Sequence, residues 1–277
     1  MHWSVKNKMH FHKDKCKVVS IRNKPSPLSM LPFSTFYYHL GDRILQFVDS
    51  ESDLGVVINS NFTFNEHCEQ IISKANQQYG LIRRTCHFIN DLKRKRILYL
   101  ARVRSQFEHC SQVWRPNNKT MVDKFESIQK KSIKWILNEE EHSYHSLKVY
   151  HSKCKQVNLL PIFYRFNLND LVLFHKIFHR IIPVVMPSYL SLFTGNQLRS
   201  SHLDRLCFSS SVLPSGTSTK TLNKSFFYRT HSLWNTLPFE IREILSPSEF
   251  RDEVINFFWD SITNDFDSSS DMDDGIT

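Results

Sequence analysis

Between Cys68 and Cys86 the residues Cys68, Ile71, Ile72, Ala75, Tyr79, Ile82 and Cys86 recur at steps of three and four. That spacing places them on one stripe of an α-helix and commits one helical face to a core. The pattern returns twice. Leu92, Tyr99, Val103 and Phe107 align in a helix from Asp91 to about Phe107, and Met121, Phe125, Ile128 and Trp135 in one from Lys119 to Leu137. Between these two, Trp114-Arg-Pro116-Asn-Asn breaks the chain. Six glycines in 277 residues leave few sites for tight β turns, while 22 phenylalanines supply material for a sizeable core. The expected fold class is mainly α with a small N-terminal β portion (α+β): a hairpin, a helical bundle and a helical C-terminal extension.

The β portion comes first. Lys17–Ile21 reads as a short strand, and the β-prone runs Phe36–Leu40 and Arg43–Val48 flank Gly41-Asp42 as a two-residue hairpin. Leu54–Ile58 is a third strand, and the acids Asp49, Glu51 and Asp53 before it read as a wet loop. Thr63-Phe-Asn-Glu66 has the form of a capping box. Further on, Leu159-Leu-Pro161 is a turn, and Phe163–Arg180 is an apolar helix ended by Pro183. Ser246-Pro247-Ser248-Glu249 opens a last helix with Phe250, Val254, Phe257 and Phe258 on its buried face. The expected organisation is 1–60, strands; 61–140, a basic helical bundle; 141–262, a helical extension with a loop at 194–221; and 263–277, a disordered acidic tail.

Charge narrows the partner. Five aspartates and no Lys or Arg follow Asn264, so the net +9 resolves into +14 before that point and −5 after it. So basic a body calls for an anionic partner, of which nucleic acid is the commonest. Arg83, Arg84, Lys93, Arg94, Lys95, Arg96, Arg102 and Arg104 cluster with Asp91 as the only acid from Arg83 to Arg104, and Lys74 precedes them on the first helix. With the apolar stripes packed inward, these cations are expected to stack on the outer face and meet phosphates. The bland alternative is a solvated face.

Other chemistries find no support. The six cysteines lack the paired C-x₂₋₄-C spacing of structural zinc sites, although His67-Cys68, Cys86-His87, His109-Cys110 and His151-x-x-Cys154 are neighbours. Asp271-Met272-Asp273-Asp274 superficially has the Asp-Asp pair of a polymerase metal site, but its serine flanks cannot supply a rigid strand–turn–strand. There is no G-x-G-x-x-G, Walker or G-x-S-x-G motif. The N-terminus has no apolar leader core, so the thiols are expected to be reduced and the protein intracellular. No apolar stretch reaches the ~20 residues of a membrane span, and no membrane partner is expected.

Several segments resemble the region downstream of the polymerase active site in non-LTR retrotransposon reverse transcriptases of the jockey-like type. Trp3-Ser-Val-x-Asn7-x-Met9 followed by Lys15-Cys16 is similar to the stretch after that family's active-site strand, with His12 in place of its Asn. Asp53-Leu54-Gly55-Val56 resembles its primer-grip segment, followed by Phe64-x-x-His67. Gln112-Val-Trp114-x-Pro116 resembles its V-W-x-P turn, and Phe125-Glu-Ser-Ile-Gln129-Lys-Lys its L-E-x-x-Q helix. Leu159-Leu-Pro161, Asp170-Leu171, His175-Lys176, Ser225-Phe-Phe-x-Arg229, Leu233-Trp-Asn-x-Leu237-Pro238 and Phe250 follow in order. The series spans residues 3–259.

The resemblance implies the end of a palm, a primer grip, a helical thumb and its extension. The catalytic (F/Y)-A-D-D strand and its Mg²⁺ would lie before Trp3 or on another chain, with no catalytic residue and no cofactor expected here. It makes Leu54 and Gly55 primer-grip-like, puts Lys15 where a lysine is proposed to assist pyrophosphate departure, and makes the partner an RNA or RNA/DNA template–primer. The chain then reads as a fragment of an RNA-directed DNA polymerase. The alternatives are a stand-alone basic helical nucleic-acid-binding module and a decayed element copy with no selected function.

Overall fold

The computed structural model describes residues 2–9, 11–12, 15–21, 37–139, 144, 146–192, 206–209, 222 and 225–270, without the side chains of 2, 3 and 265–270. The protein is mainly α with a small β portion, and it divides into two compact units, 1–71 and 72–277.

The first unit holds α1 (His2–Lys6), β1 (Lys17–Val19), β2 (His39–Leu40), β3 (Arg43–Ile44), β4 (Gln46–Val48), β5 (Ser50–Asp53) and β6 (Val56–Asn59). β2 and β3 form the expected hairpin around Gly41-Asp42, with Gly41 at φ 69°. β4 then pairs in parallel with β1, Lys17 opposite Gln46. The acidic segment expected to be a loop is strand β5, antiparallel to β6 with Asp53 opposite Val56. Pairing with Val-Val-Ile-Asn imposes the extended conformation on Ser-Glu-Ser-Asp, and Glu51 is neutralised by Lys17 at 2.7 Å. That ion pair holds the Glu51 carboxyl below its ordinary pKa.

α2 (Asn65–Thr85) follows. Thr63 does not cap it as a capping box would. Its N–H donates to Asn59 Oδ1 at 2.8 Å and its hydroxyl accepts from Asn59 Nδ2 at 2.9 Å, while the first helical bond runs from Cys68 N to Phe64 O.

The second unit contains most of α2, then α3 (Leu92–Tyr99), a π-helical segment (Leu100–Arg104), α4 (Ser105–Glu108), α5 (Ser111–Trp114), α6 (Lys119–Leu137), α7 (Leu147–Gln156), α8 (Ile162–Phe178), β7 (Leu190–Leu192), β8 (Leu206–Phe208), α9 (Phe226–Thr236), α10 (Phe239–Arg242) and α11 (Pro247–Ser270). Residues on both sides of the boundary expected near 140 fall in this one unit, where α8 packs against α5, α6, α9 and α11. β8 lies inside the expected loop 194–221, and the Asn235 side chain holds it by bonds of 2.9 Å to both the N–H and the carbonyl of Leu206. Residues 194–205 and 210–221 of that loop lie outside the described residues. α11 starts where Ser246-Pro247 predicts, with Phe250 N on Ser246 O at 2.9 Å, and runs to Ser270, into the segment assigned to a disordered tail; 271–277 lie outside the described residues.

Two aromatic clusters anchor this unit. Phe107, Trp114, Phe125 and Phe166 meet with ring centroids 5.1–5.8 Å apart, largely edge to face. Phe174, Phe178, Trp234 and Phe250 form the second. Between the helices runs a satisfied polar hub. Gln129 Oε1 accepts from Tyr99 Oη at 2.9 Å, and its Nε2 donates to Tyr150 Oη at 3.1 Å and to the Leu160 carbonyl at 3.0 Å. One buried amide thus ties α3, α6, α7 and the turn before α8 together.

Candidate nucleic-acid interface

Of the nine basic residues, Lys74, Arg83, Arg84, Lys93, Arg94 and Arg102 are exposed on α2, α3 and the π segment. Lys95, Arg96 and Arg104 are not on an outer face, which corrects the expectation drawn from their density. The reason is geometric. Each helical residue turns by about 100°, so the run 93–96 sweeps most of the circumference and cannot face solvent throughout.

Lys95 is 3% exposed. Its ammonium donates to the Trp135 carbonyl at 2.9 Å and to Asn138 Oδ1, and sits 5.1 Å from the Trp135 ring centroid. It therefore places a cation on the negative C-terminal end of α6, where Asn138 turns left-handed at φ 57°. Burial pulls its pKa below the ordinary lysine value. Arg96 caps α7 in the same manner, from Nε to Val157 O at 2.8 Å and from Nη2 to Asn158 O at 3.1 Å. Arg104 is 4% exposed, with Glu108 Oε1 3.3 Å from its Nε.

What α2 and α6 build together is a groove of about 690 Å³ lined by Tyr79, Arg83, His87, Lys131, Lys134 and Trp135, with Lys95 at its base. Tyr79 donates to the Lys131 carbonyl at 3.1 Å and fixes one wall to the other. The carboxylate at the rim, Glu139, is taken by Lys153 and by Tyr144 Oη, so the groove is net positive. Lys131 and Lys134 were missed because they lie far in sequence from Arg83–Arg104, although an i, i+3 pair on a helix whose apolar stripe is occupied must face outward. Trp114 and Trp234 are fully buried core anchors; Trp135, placed on the apolar stripe of α6 by its spacing, is half-buried and lines the groove.

Leu54 and Gly55 form the two-residue turn between β5 and β6, with φ 47° and 85°. Positive φ at both positions is the type I′ pattern that matches hairpin twist, and Leu54 stands 85% exposed at the tip. Lys15 is exposed, its N–H donating to His12 O at 3.0 Å. These three residues belong to the first unit and the groove to the second.

The remaining motif residues converge on structure rather than on an open site. Asp170 on α8 is 1% exposed and lies between two guanidiniums. Arg115 Nη1 is 2.7 Å from its Oδ2, and Arg229 grips both oxygens at 2.8 and 3.0 Å. Arg229 also donates to the Gln112 carbonyl at 2.6 Å, and Arg115 to Asn167 Oδ1 at 2.6 Å. The V-W-x-P turn, the Asp-Leu pair and the Phe-Phe-x-Arg segment thus meet at one carboxylate. On α6, Phe125 joins the first aromatic cluster, Gln129 is the polar hub, and Glu126 accepts the Ile162 N–H at 2.8 Å. Burial pushes the Glu126 carboxyl up to about 7.

Among the described residues no group of three or more His, Cys, Asp or Glu is placed to hold a metal ion, and no helix is long and apolar enough to cross a membrane. The buried thiols Cys68 and Cys154 are pushed up to about 12 by desolvation, as for small apolar side chains. In comparisons with protein-family models, with curated proteins and with solved structures, the chain matched none significantly.

Proposed function

We propose that the chain is the primer-grip, thumb and extension portion of a non-LTR retrotransposon reverse transcriptase of the jockey-like type, and that its basic groove holds the backbone of an RNA or RNA/DNA template–primer. The observation that carries this reading is the groove itself, with Arg83, Lys131 and Lys134 around half-buried Trp135; Arg84, Lys93 and Arg94 on α2 and α3 are exposed as well. A row of cations beside an aromatic face suits phosphates and a terminal base, bound by shape and charge rather than by sequence. The ordered motif series over residues 3–259 supports the family. In this reading the catalytic aspartates and their Mg²⁺ belong to a palm outside these residues.

The test is fluorescence anisotropy of a labelled RNA/DNA hybrid duplex across a salt series. Log K is expected to fall linearly with log salt, and Lys131→Gln with Lys134→Gln to reduce the slope by about one per lysine. Salt-independent binding, or a double variant that binds like the parent, refutes the groove. Primer extension with Mg²⁺ checks the second part: nucleotide incorporation above background would place the chemistry in this chain. A stand-alone nucleic-acid-binding module is the second reading, favoured by the groove's lying wholly within one compact unit. It predicts the same salt slope from residues 72–277 expressed alone.

A further inference from the structure

The other flank of α3 opens on a second cleft, of about 550 Å³, whose walls are α3 with the π segment, the turn before α8, α8 and α11. Arginines line it from each helical wall: Arg96 and Arg104, Arg165, and Arg251. The carboxylates present are Glu108 and Asp252. Glu108 serves two of the arginines through a single oxygen, Oε1, at 2.7 Å from Arg165 Nε and 3.3 Å from Arg104 Nε. The second contact lacks hydrogen-bond alignment, and Arg104 Nε remains a buried N–H with no hydrogen-bond partner among the described residues. The guanidinium of this nearly fully buried residue has otherwise a 3.5 Å bond to the Leu160 carbonyl. Arg251 reaches Asp252 only at 3.7 Å and is exposed.

A buried cation with an unspent donor is costly unless something compensates it. Here a surplus of guanidinium forks faces one cavity that Trp259, half-buried on α11, also lines. Planar guanidinium donors match the oxygens of a phosphate or a carboxylate; several of them on one cavity suit the multiply charged phosphate, and an indole face beside them suits a base. We propose that this cleft is a phosphate-binding site for a nucleotide, with Arg96, Arg104, Arg165 and Arg251 toward the phosphate oxygens and Trp259 against the base. The nucleotide is either free or the phosphorylated 5′ end of a strand. This assignment does not rest on the template–primer reading, because it uses none of the groove lysines.

Isothermal titration calorimetry of the full chain with ATP, inorganic phosphate, and one oligonucleotide with and without a 5′-phosphate tests it. ATP or the phosphorylated oligonucleotide is expected to bind more tightly than inorganic phosphate, and preference between the two identifies the source. Arg251→Gln, a change at an exposed side chain, is expected to weaken that binding about tenfold, as for one charge-assisted hydrogen bond. Lys131→Gln with Lys134→Gln is expected to leave it unchanged. Trp259→Phe, with unchanged circular dichroism, is expected to weaken the nucleotide but not inorganic phosphate. Absence of binding by all four probes to folded protein overturns the proposal, as does nucleotide binding insensitive to Arg251→Gln. Equal affinity for inorganic phosphate and ATP overturns the nucleotide assignment.

Discussion

Replacing Asp170 by alanine is expected to be the most damaging single polar change in the helical unit. The carboxylate is 1% exposed, and its partners Arg115 and Arg229 have side chains only 10% and 12% exposed. Removing it leaves two guanidiniums in a low-dielectric interior with no counter-charge, and it deletes three charge-assisted bonds of 2.7, 2.8 and 3.0 Å. Breaking one partner out of a buried ion pair costs about 3–5 kcal/mol, against a total stability of roughly 5–15 kcal/mol for a domain. For a unit of this size that corresponds to a fall in Tm of roughly 6–20 °C. Urea unfolding followed by circular dichroism at 222 nm measures it. The loss comes from stranded charge rather than from a hole, so the triple change Arg115→Met, Asp170→Leu and Arg229→Met is expected to recover most of it. A cost below about 1 kcal/mol for Asp170→Ala, or a triple variant no more stable than the single one, refutes the reasoning.

Two further outcomes follow from the same packing. Glu126, raised to about 7 by burial, binds a proton in the folded state that the unfolded chain has already lost. Stability is therefore undiminished below the ordinary carboxyl value of 4.5, falls as pH rises toward 7, and stays reduced above it, by about 3 kcal/mol at most. Glu126→Gln is expected to flatten the difference in urea midpoint between pH 5 and pH 8, and an unchanged difference assigns it elsewhere. Lys95→Met is expected to cost about 1–2 kcal/mol of stability by uncapping α6, whereas exposed Lys93→Met is expected to leave stability as it was and to weaken duplex binding; thermal melting with anisotropy on both variants checks this.

How much of this is legible beforehand depends on whether local pattern or tertiary pairing decides. The stripes of α2, α3, α6, α8 and α11 are visible because each has enough apolar residues at helical spacing to declare its face. α7 is not, since Tyr150, His151 and Cys154 are its only buried residues, Leu147 and Val149 are exposed, and the remainder is polar. β5 is hidden for the opposite reason: Ser-Glu-Ser-Asp has little strand preference, and β6 supplies it. At the candidate site the sign of the charge could be read, but its direction could not. Density along the chain counted Lys95, Arg96 and Arg104 as surface cations, whereas Lys95 and Arg96 sit on the carbonyls at helix C-termini and Arg104 is buried beside the second cleft. Lys131 and Lys134, outside the dense run, complete the groove.

The two clefts owe their separation to the irregular turn between α3 and α4. A step of four residues overshoots an α-helical turn by about 40°, so a stripe at that spacing drifts around the helix. Yet Lys95, Tyr99, Val103 and Phe107 are all buried, and Arg96, Leu100, Arg104 and Glu108 all line the second cleft. Both rows advance by four without leaving their faces. The π segment Leu100–Arg104 accounts for this, because an i→i+5 turn holds more residues than an α turn and offsets the drift. It lets one helix keep Tyr99 on the Gln129 hub and Phe107 in the aromatic core while a second row, one residue along, carries two arginines to the cleft. Arg94 and Arg102, on neither row, are left to solvent. A charge-rich helix thus divides its cations among capping, a cleft and the outer surface by register alone, and an α-helix without that turn would bring either the core row or the cleft row out of line.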